Sequence, residues 1–129
     1  MTGKDDSRNF DCFYEQQEIQ RIMQKRQQED PYERLARKSL ETFVETGKRL
    51  SLQNLLTQLP VELREKEAGA FVSIHQEGRL RGCIGTIEPA FSCLAEEITH
   101  NAVSAGIADP RFSPVGKEEL PSLEYSGDV

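Results

Sequence analysis

Cys83 stands between two glycines in Leu80-Arg81-Gly82-Cys83-Ile84-Gly85-Thr86, with an arginine two positions before it. A cysteine is reactive as its thiolate, so a neighbouring guanidinium and free backbone amides are what would activate it. Alternate residues of a strand share a face, which would place Arg81 beside the sulfur. Glycines inside a strand weaken it unless something must come close to the backbone there, so Gly82 and Gly85 point to a ligand. On this reading Cys83 is a candidate catalytic nucleophile or redox thiol, Arg81 its anion partner, and Gly82 and Gly85 supply amide donors. The plainer reading is a small residue packed where nothing larger fits, a common fate of a free cysteine. Arg111, in Asp109-Pro110-Arg111-Phe112, is a second ligand-binding candidate. An arginine fixed after a helix end can hold a carboxylate or phosphate, or it can pair with a neighbouring acid.

The element that must position Cys83 is a hairpin. Ala70 to Gln76 and Arg79 to Thr86 are two strand-forming runs joined by Glu77-Gly78, and a two-residue link ending in Gly is a strong hairpin signal. Counting outward from that turn pairs Gln76 with Arg79, Ile74 with Arg81, Ser73 with Gly82 and Val72 with Cys83. One face then carries Val72, Ile74, Arg81 and Cys83, and the other Phe71, Ser73, His75, Leu80 and Ile84. Both hold apolar residues, so the ribbon is expected to be covered on both sides. In this register His75 and Cys83 lie on opposite faces and cannot hydrogen-bond directly; a one-residue bulge would reverse that. His100 and Cys93 are seven residues apart on a predicted helix, too far for the i, i+3 or i+4 spacing of metal ligands, so no metal site is expected. No paired cysteine motif, phosphate-cradling loop or GxSxG elbow is legible, and no cofactor is implied.

Around the hairpin the pattern is helical. Asp30-Pro31-Tyr32-Glu33 is a helix start: Asp caps, Pro takes the first helical position, and Glu reaches back to the cap. Tyr32, Leu35, Ala36, Ser39, Leu40 and Phe43 form one face, and Gly47 ends the helix as a left-handed cap. A short helix follows at Gln53 to Leu59 or at Pro60 to Lys66. Phe91 to Ile107 has helical periodicity until Asp109-Pro110 breaks it, and Leu123 to Val129 begins another strand, interrupted by Gly127. Residues 1–30 read as a charged helical leader or linker and residues 31–129 as the folded domain. The apolar stripe of the leader (Phe10, Phe13, Tyr14, Ile19, Ile22, Met23) is too thin to dock, so its removal is expected to leave stability unchanged.

The 129 residues suit one domain plus an appendage. A net charge of −6 gives no overall field toward nucleic acid or an anionic membrane. No apolar run approaches the ~20 residues that span a bilayer. Three cysteines at irregular spacings argue against a disulfide framework and for a reducing, cytoplasmic setting.

The heptapeptide around Cys83 resembles the LRGCIGT signature of the AMMECR family. The resemblance extends to Pro31-Tyr32-Glu33-Arg34-Leu35-Ala36-Arg37, Gly69-Ala70-Phe71-Val72-Ser73, Leu94-Ala95-Glu96-Glu97-Ile98, Asp109-Pro110-Arg111-Phe112 and Leu123-Glu124-Tyr125-Ser126. It covers residues 31–129. It implies an α+β fold, a mixed sheet with flanking helices in a larger and a smaller lobe. It also implies further strands after Val129, so the domain is expected to be incomplete in this chain. Gly127 departs from the family, which usually places an apolar strand residue there. In bacteria and archaea the domain is similar to protein A of the AmmeMemoRadiSam system. The resemblance therefore implies radical-SAM and Memo-type (dioxygenase-like) proteins as partners, and a small-molecule or nucleobase ligand. The family has no agreed reaction, which leaves two function classes: an enzyme component using Cys83, or a protein- or peptide-binding module in which Cys83 only packs.

Overall fold

The computed structural model describes the backbone of residues 2–129 and the side chains of residues 15–129. Its fold is α+β. Helix α1 (Thr2–Gln27) leads into α2 (Pro31–Thr46), a 3-10 turn (Leu56–Gln58) and α3 (Val61–Glu65). The hairpin β1 (Phe71–Gln76) and β2 (Arg79–Gly85) follows, then α4 (Leu94–Ile107), a second 3-10 segment (Lys117–Ser122) and β3 (Leu123–Asp128). The three strands form one sheet in the order β2-β1-β3, antiparallel at both pairings.

The local signals in the sequence act as expected at α2. The Asp30 side chain accepts from the Glu33 amide at 2.8 Å and Glu33 accepts from the Asp30 amide at 3.1 Å. Gly47 closes the helix with φ 73°. The short helix forms at Val61–Glu65, behind Pro60, while residues 56–58 make only a 3-10 turn. The hairpin turn has positive φ at both Glu77 (52°) and Gly78 (77°), the type I′ geometry that matches strand twist.

The core lies between the sheet and the α2–α4 pair, built from Leu35, Leu40, Val72, Ile74, Ile98 and Leu123 among others. α4 begins at Leu94 rather than Phe91. Phe91 stays outside the helix and stacks on His100, with ring centroids 4.0 Å apart. Glu97, fully buried, accepts from the Thr86 hydroxyl (2.5 Å) and the Ala90 and Phe91 amides (2.5 and 2.7 Å). One carboxylate thereby ties the whole 86–91 connection to α4.

At two places the structure departs from the sequence pattern. Gly127 does not interrupt the strand. A Cβ there would lie 1.8 Å from the Tyr32 ring, whose hydroxyl donates to the Phe71 carbonyl at 2.7 Å. The aromatic from α2 fills the space a strand side chain would have used. The C-terminal part of α1 also docks, although its stripe is thin. Ile22 is buried, Arg21 and Lys25 each reach Glu124 at 2.5 Å, and Arg26 donates to the Leu120 and Leu123 carbonyls. Ile19 and Met23 stay exposed. Phe10, Phe13 and Tyr14 lie outside the residues whose side chains are described.

Candidate functional site

The hairpin register changes between Ile74 and His75. Gln76 faces Arg79 and His75 faces Leu80, but Ile74 then faces Gly82, Ser73 faces Cys83 and Val72 faces Ile84. Arg81 is the extra residue of a β-bulge, which turns every residue after it to the other face. Val72, Ile74, Gly82 and Ile84 thus pack toward α4. Cys83 joins Phe71, Ser73 and His75 on the opposite face, contrary to the simple register.

That opposite face is open, also contrary to expectation: Phe71 is 43% and Leu80 38% exposed, and Ser73, His75 and Cys83 are half-buried. Cys83 is bonded through its amide to Asp109 rather than to β1, so Ser73 and Cys83 form the close, non-hydrogen-bonded type of cross-strand pair. Their side chains meet, with Ser73 Oγ and Cys83 Sγ 3.2 Å apart. His75 now shares the thiol's face, but no hydrogen bond joins the two.

Arg81 is not the thiol's partner. Its guanidinium is held by Glu119, Nε donating to Oε1 at 3.0 Å and Nη2 to Oε2 at 3.1 Å. It staples the bulge to the 3-10 segment. Burial alone would raise the Glu119 carboxyl, but Arg81 and the Gly116 amide outweigh it and hold the group below its ordinary value.

The two glycines also have structural causes. A Cβ on Gly82 would lie 2.0 Å from the Ala105 carbonyl oxygen, and one on Gly85 2.0 Å from the Phe71 ring. Gly82 lets α4 lie against β2, and Gly85 gives Phe71 its place. The space beside Gly82 that a ligand was expected to use is filled by helix backbone.

The cation near Cys83 comes from Arg111. β2 is an edge strand, and the outward Cys83 amide donates to Asp109 Oδ2 at 3.1 Å. Asp109, buried just past the end of α4, also accepts from Arg111: its amide and Nε at Oδ1 (3.0 and 3.1 Å) and Nη2 at Oδ2 (2.8 Å). Four donors, the Arg111 side chain first among them, hold the Asp109 carboxyl far below the ordinary carboxylate range. The pairing in turn raises Arg111. The Arg111 side chain remains 57% exposed and lies over the Phe112 ring, 5.4 Å from its centroid.

The structure therefore joins the Cys83 amide and Arg111 on one carboxylate, Asp109, and gives Arg81 to Glu119 instead. Asp109 and Ser73 were missed. Asp109 reads in sequence as a helix stop before Pro, and only the edge position of β2 reveals what it binds. Ser73 follows from the bulge. The result is a half-buried thiol with a hydroxyl in contact, an exposed guanidinium nearby and an apolar border at Phe71 and Leu80. Such a patch can offer a nucleophile or redox thiol to a small polar ligand. Among the described residues no His, Cys, Asp and Glu cluster is placed to hold a metal ion, and no helix is long and apolar enough to cross a membrane.

Residues 33–129 match the family model described as AMMECR1. A protein of Clostridium acetobutylicum is 46% identical over 105 residues, covering 81% of this chain and 22% of that protein. One from Thermotoga maritima is 41% identical over 102 residues, covering 78% of this chain and 57% of that protein. The crystal structure of an uncharacterised protein from Pyrococcus horikoshii superposes with a TM-score of 0.66 at 33% identity, covering 74% of this chain and 47% of that one. This chain thus spans between 22% and 57% of the length of these three relatives.

Proposed function

The chain belongs to the AMMECR1 family, and on that premise we propose that the open face of the β1–β2 hairpin is a ligand site with Cys83 as its working thiol. The observation that carries this is the bulge at Arg81, which turns Cys83 out of the core onto the face that holds Ser73 and His75. Cys83 is the nucleophile or redox centre, the Ser73 hydroxyl its proton partner, and Arg111 the anchor for an acidic or hydrogen-bonding edge of the ligand. A small metabolite or a nucleobase fits that description. Radical-SAM and Memo-type proteins are the proposed partners, in a reducing cytoplasm that keeps the thiol free.

A second reading is a binding module in which Cys83 only packs. It is favoured by Gly82 and Gly85, whose absent side chains are accounted for by Ala105 and Phe71. An NMR titration of the isotope-labelled chain with free nucleobases separates the two. The proposal expects shifts clustered at Ser73, His75, Cys83 and Arg111, weakened by Cys83→Ser and by Arg111→Ala. Shifts unaffected by either substitution, or absent altogether, would leave the hairpin as a module.

A further inference from the structure

A groove of about 420 Å³ lies on another side of the molecule, between the first turns of α2 and the 3-10 turn that precedes α3. Its apolar lining is Pro31, Leu35, Leu55, Leu59 and Pro60, with Gln58 among them, and its charged lining is Arg34 and Lys38. A volume of this size is ordinary for a small-molecule site, and an apolar wall with a few convergent polar groups is the usual composition. No carboxylate lines it.

Arg34 and Lys38 are i and i+4 on α2, about 6 Å apart along the helix axis, so they stand on one edge of the groove. Neither is well neutralised. Arg34 comes no closer than 3.8 Å to Glu29, whose carboxylate is taken by Arg37 at 2.5 Å. Lys38 is exposed and makes no ion pair among the described residues. In a chain with net charge −6, one cation paired only loosely and one with no ion pair among the described residues, beside a recess that no carboxylate lines, leave positive charge in excess there. An oxyanion on an apolar body would satisfy both halves of the groove at once.

We infer that this groove binds a small amphipathic anion, with a carboxylate or phosphate head between Arg34 and Lys38 and an apolar body against Leu55, Leu59 and Pro60. The site shares no residue with the Cys83 face and stands whether or not that thiol is functional.

The test is an NMR titration of the whole chain with octanoate, octyl phosphate and 1-octanol. Saturable shifts confined to residues 31–38 and 55–60 are expected with either anion, weakening as salt is added. Octanol, the same body without a charge, should bind at least about tenfold more weakly. The double variant Arg34→Glu, Lys38→Glu should lose at least about tenfold in affinity with its melting midpoint unchanged. If the double variant does not fold, Lys38→Gln alone must still weaken octanoate binding by about threefold. Shifts scattered over the surface, octanol binding as tightly as octanoate, or anion binding that survives charge reversal would each overturn the inference.

Discussion

The two faces of the β1–β2 ribbon are made by the same thirteen strand residues and are built to different rules. On the α4 side, Val72 and Ile74 have no exposed surface and Gly82 admits a helix carbonyl at a distance no side chain tolerates. On the other side, Phe71 and Leu80 are substantially exposed, and the polar pair Ser73–Cys83 lies between them. The inserted Arg81 decides which residues fall on which side. Packing determines the first face almost residue by residue; on the second it leaves the side chains exposed or half-buried.

One added carbon on the packed face should separate the two sides most clearly. Gly82→Ala should cost about 3 kcal/mol, because its obstacle is the Ala105 backbone, which cannot turn aside. Gly85→Ala should cost about 1 kcal/mol, since the exposed Phe71 ring can swing away. Urea unfolding of the two variants measures both, and equal costs would show that the faces are packed alike.

A smaller effect is expected where α1 meets β3. Ile22→Ala should cost about 2 kcal/mol, and Met23→Ala, exposed one position on, no more than about 0.5 kcal/mol. Deleting residues 1–27 should therefore lower the melting midpoint, against the sequence expectation of no change. A midpoint that stays put would mean that the Ile22 contact does not survive in solution.

Smaller again, on each face, is the dependence on pH. Asp109, Glu119 and Glu124 all titrate below their ordinary values when folded. At Glu124 burial opposes the shift, but Lys25 and Arg21 outweigh it. A depressed folded pKa gives stability that is complete above the unfolded value of about 4 and lost as pH falls through the folded one. The chain should therefore hold its melting midpoint from neutral pH down to about 5 and lose it progressively below about 4. At the alkaline end burial pushes Tyr32 up to about 12, so its contribution is present below the unfolded value of about 10 and fades as pH rises toward 12. In Tyr32→Phe that alkaline loss should be smaller. A midpoint that climbs as pH falls from 5 to 3 would contradict the carboxylate assignments.

Much of the packed side was legible in the sequence, because it is governed by local rules. Asp30, Pro31, Glu33 and Gly47 mark α2 without tertiary information, and Glu77-Gly78 marks the turn. The open side was not. Nothing in Leu80-Arg81-Gly82 announces a bulge; it becomes necessary when α4 must lie against a glycine and Arg81 must reach Glu119. Asp109 meets the Cys83 amide across 26 positions of sequence and carries Arg111 with it, a proximity set by the edge of the sheet and invisible to periodicity. The docking of α1 rests on one buried isoleucine and three cations, too sparse a pattern to register as a stripe.

The role given to the open face depends above all on whether Cys83 faces outward. The measurement is the rate of iodoacetamide alkylation at each cysteine of the native chain at neutral pH, read by mass spectrometry, with Cys93 as the internal contrast. Cys93 is buried at the start of α4, with 8% of its surface exposed, and should react only as the protein unfolds. Cys83 should be modified under native conditions at least about tenfold faster, as expected of an accessible thiol, and Arg111→Ala should change that rate while leaving Cys93 protected. If Cys83 is protected to the same degree as Cys93 and the two are released together on unfolding, the open face is a packing surface and the thiol has no outward role.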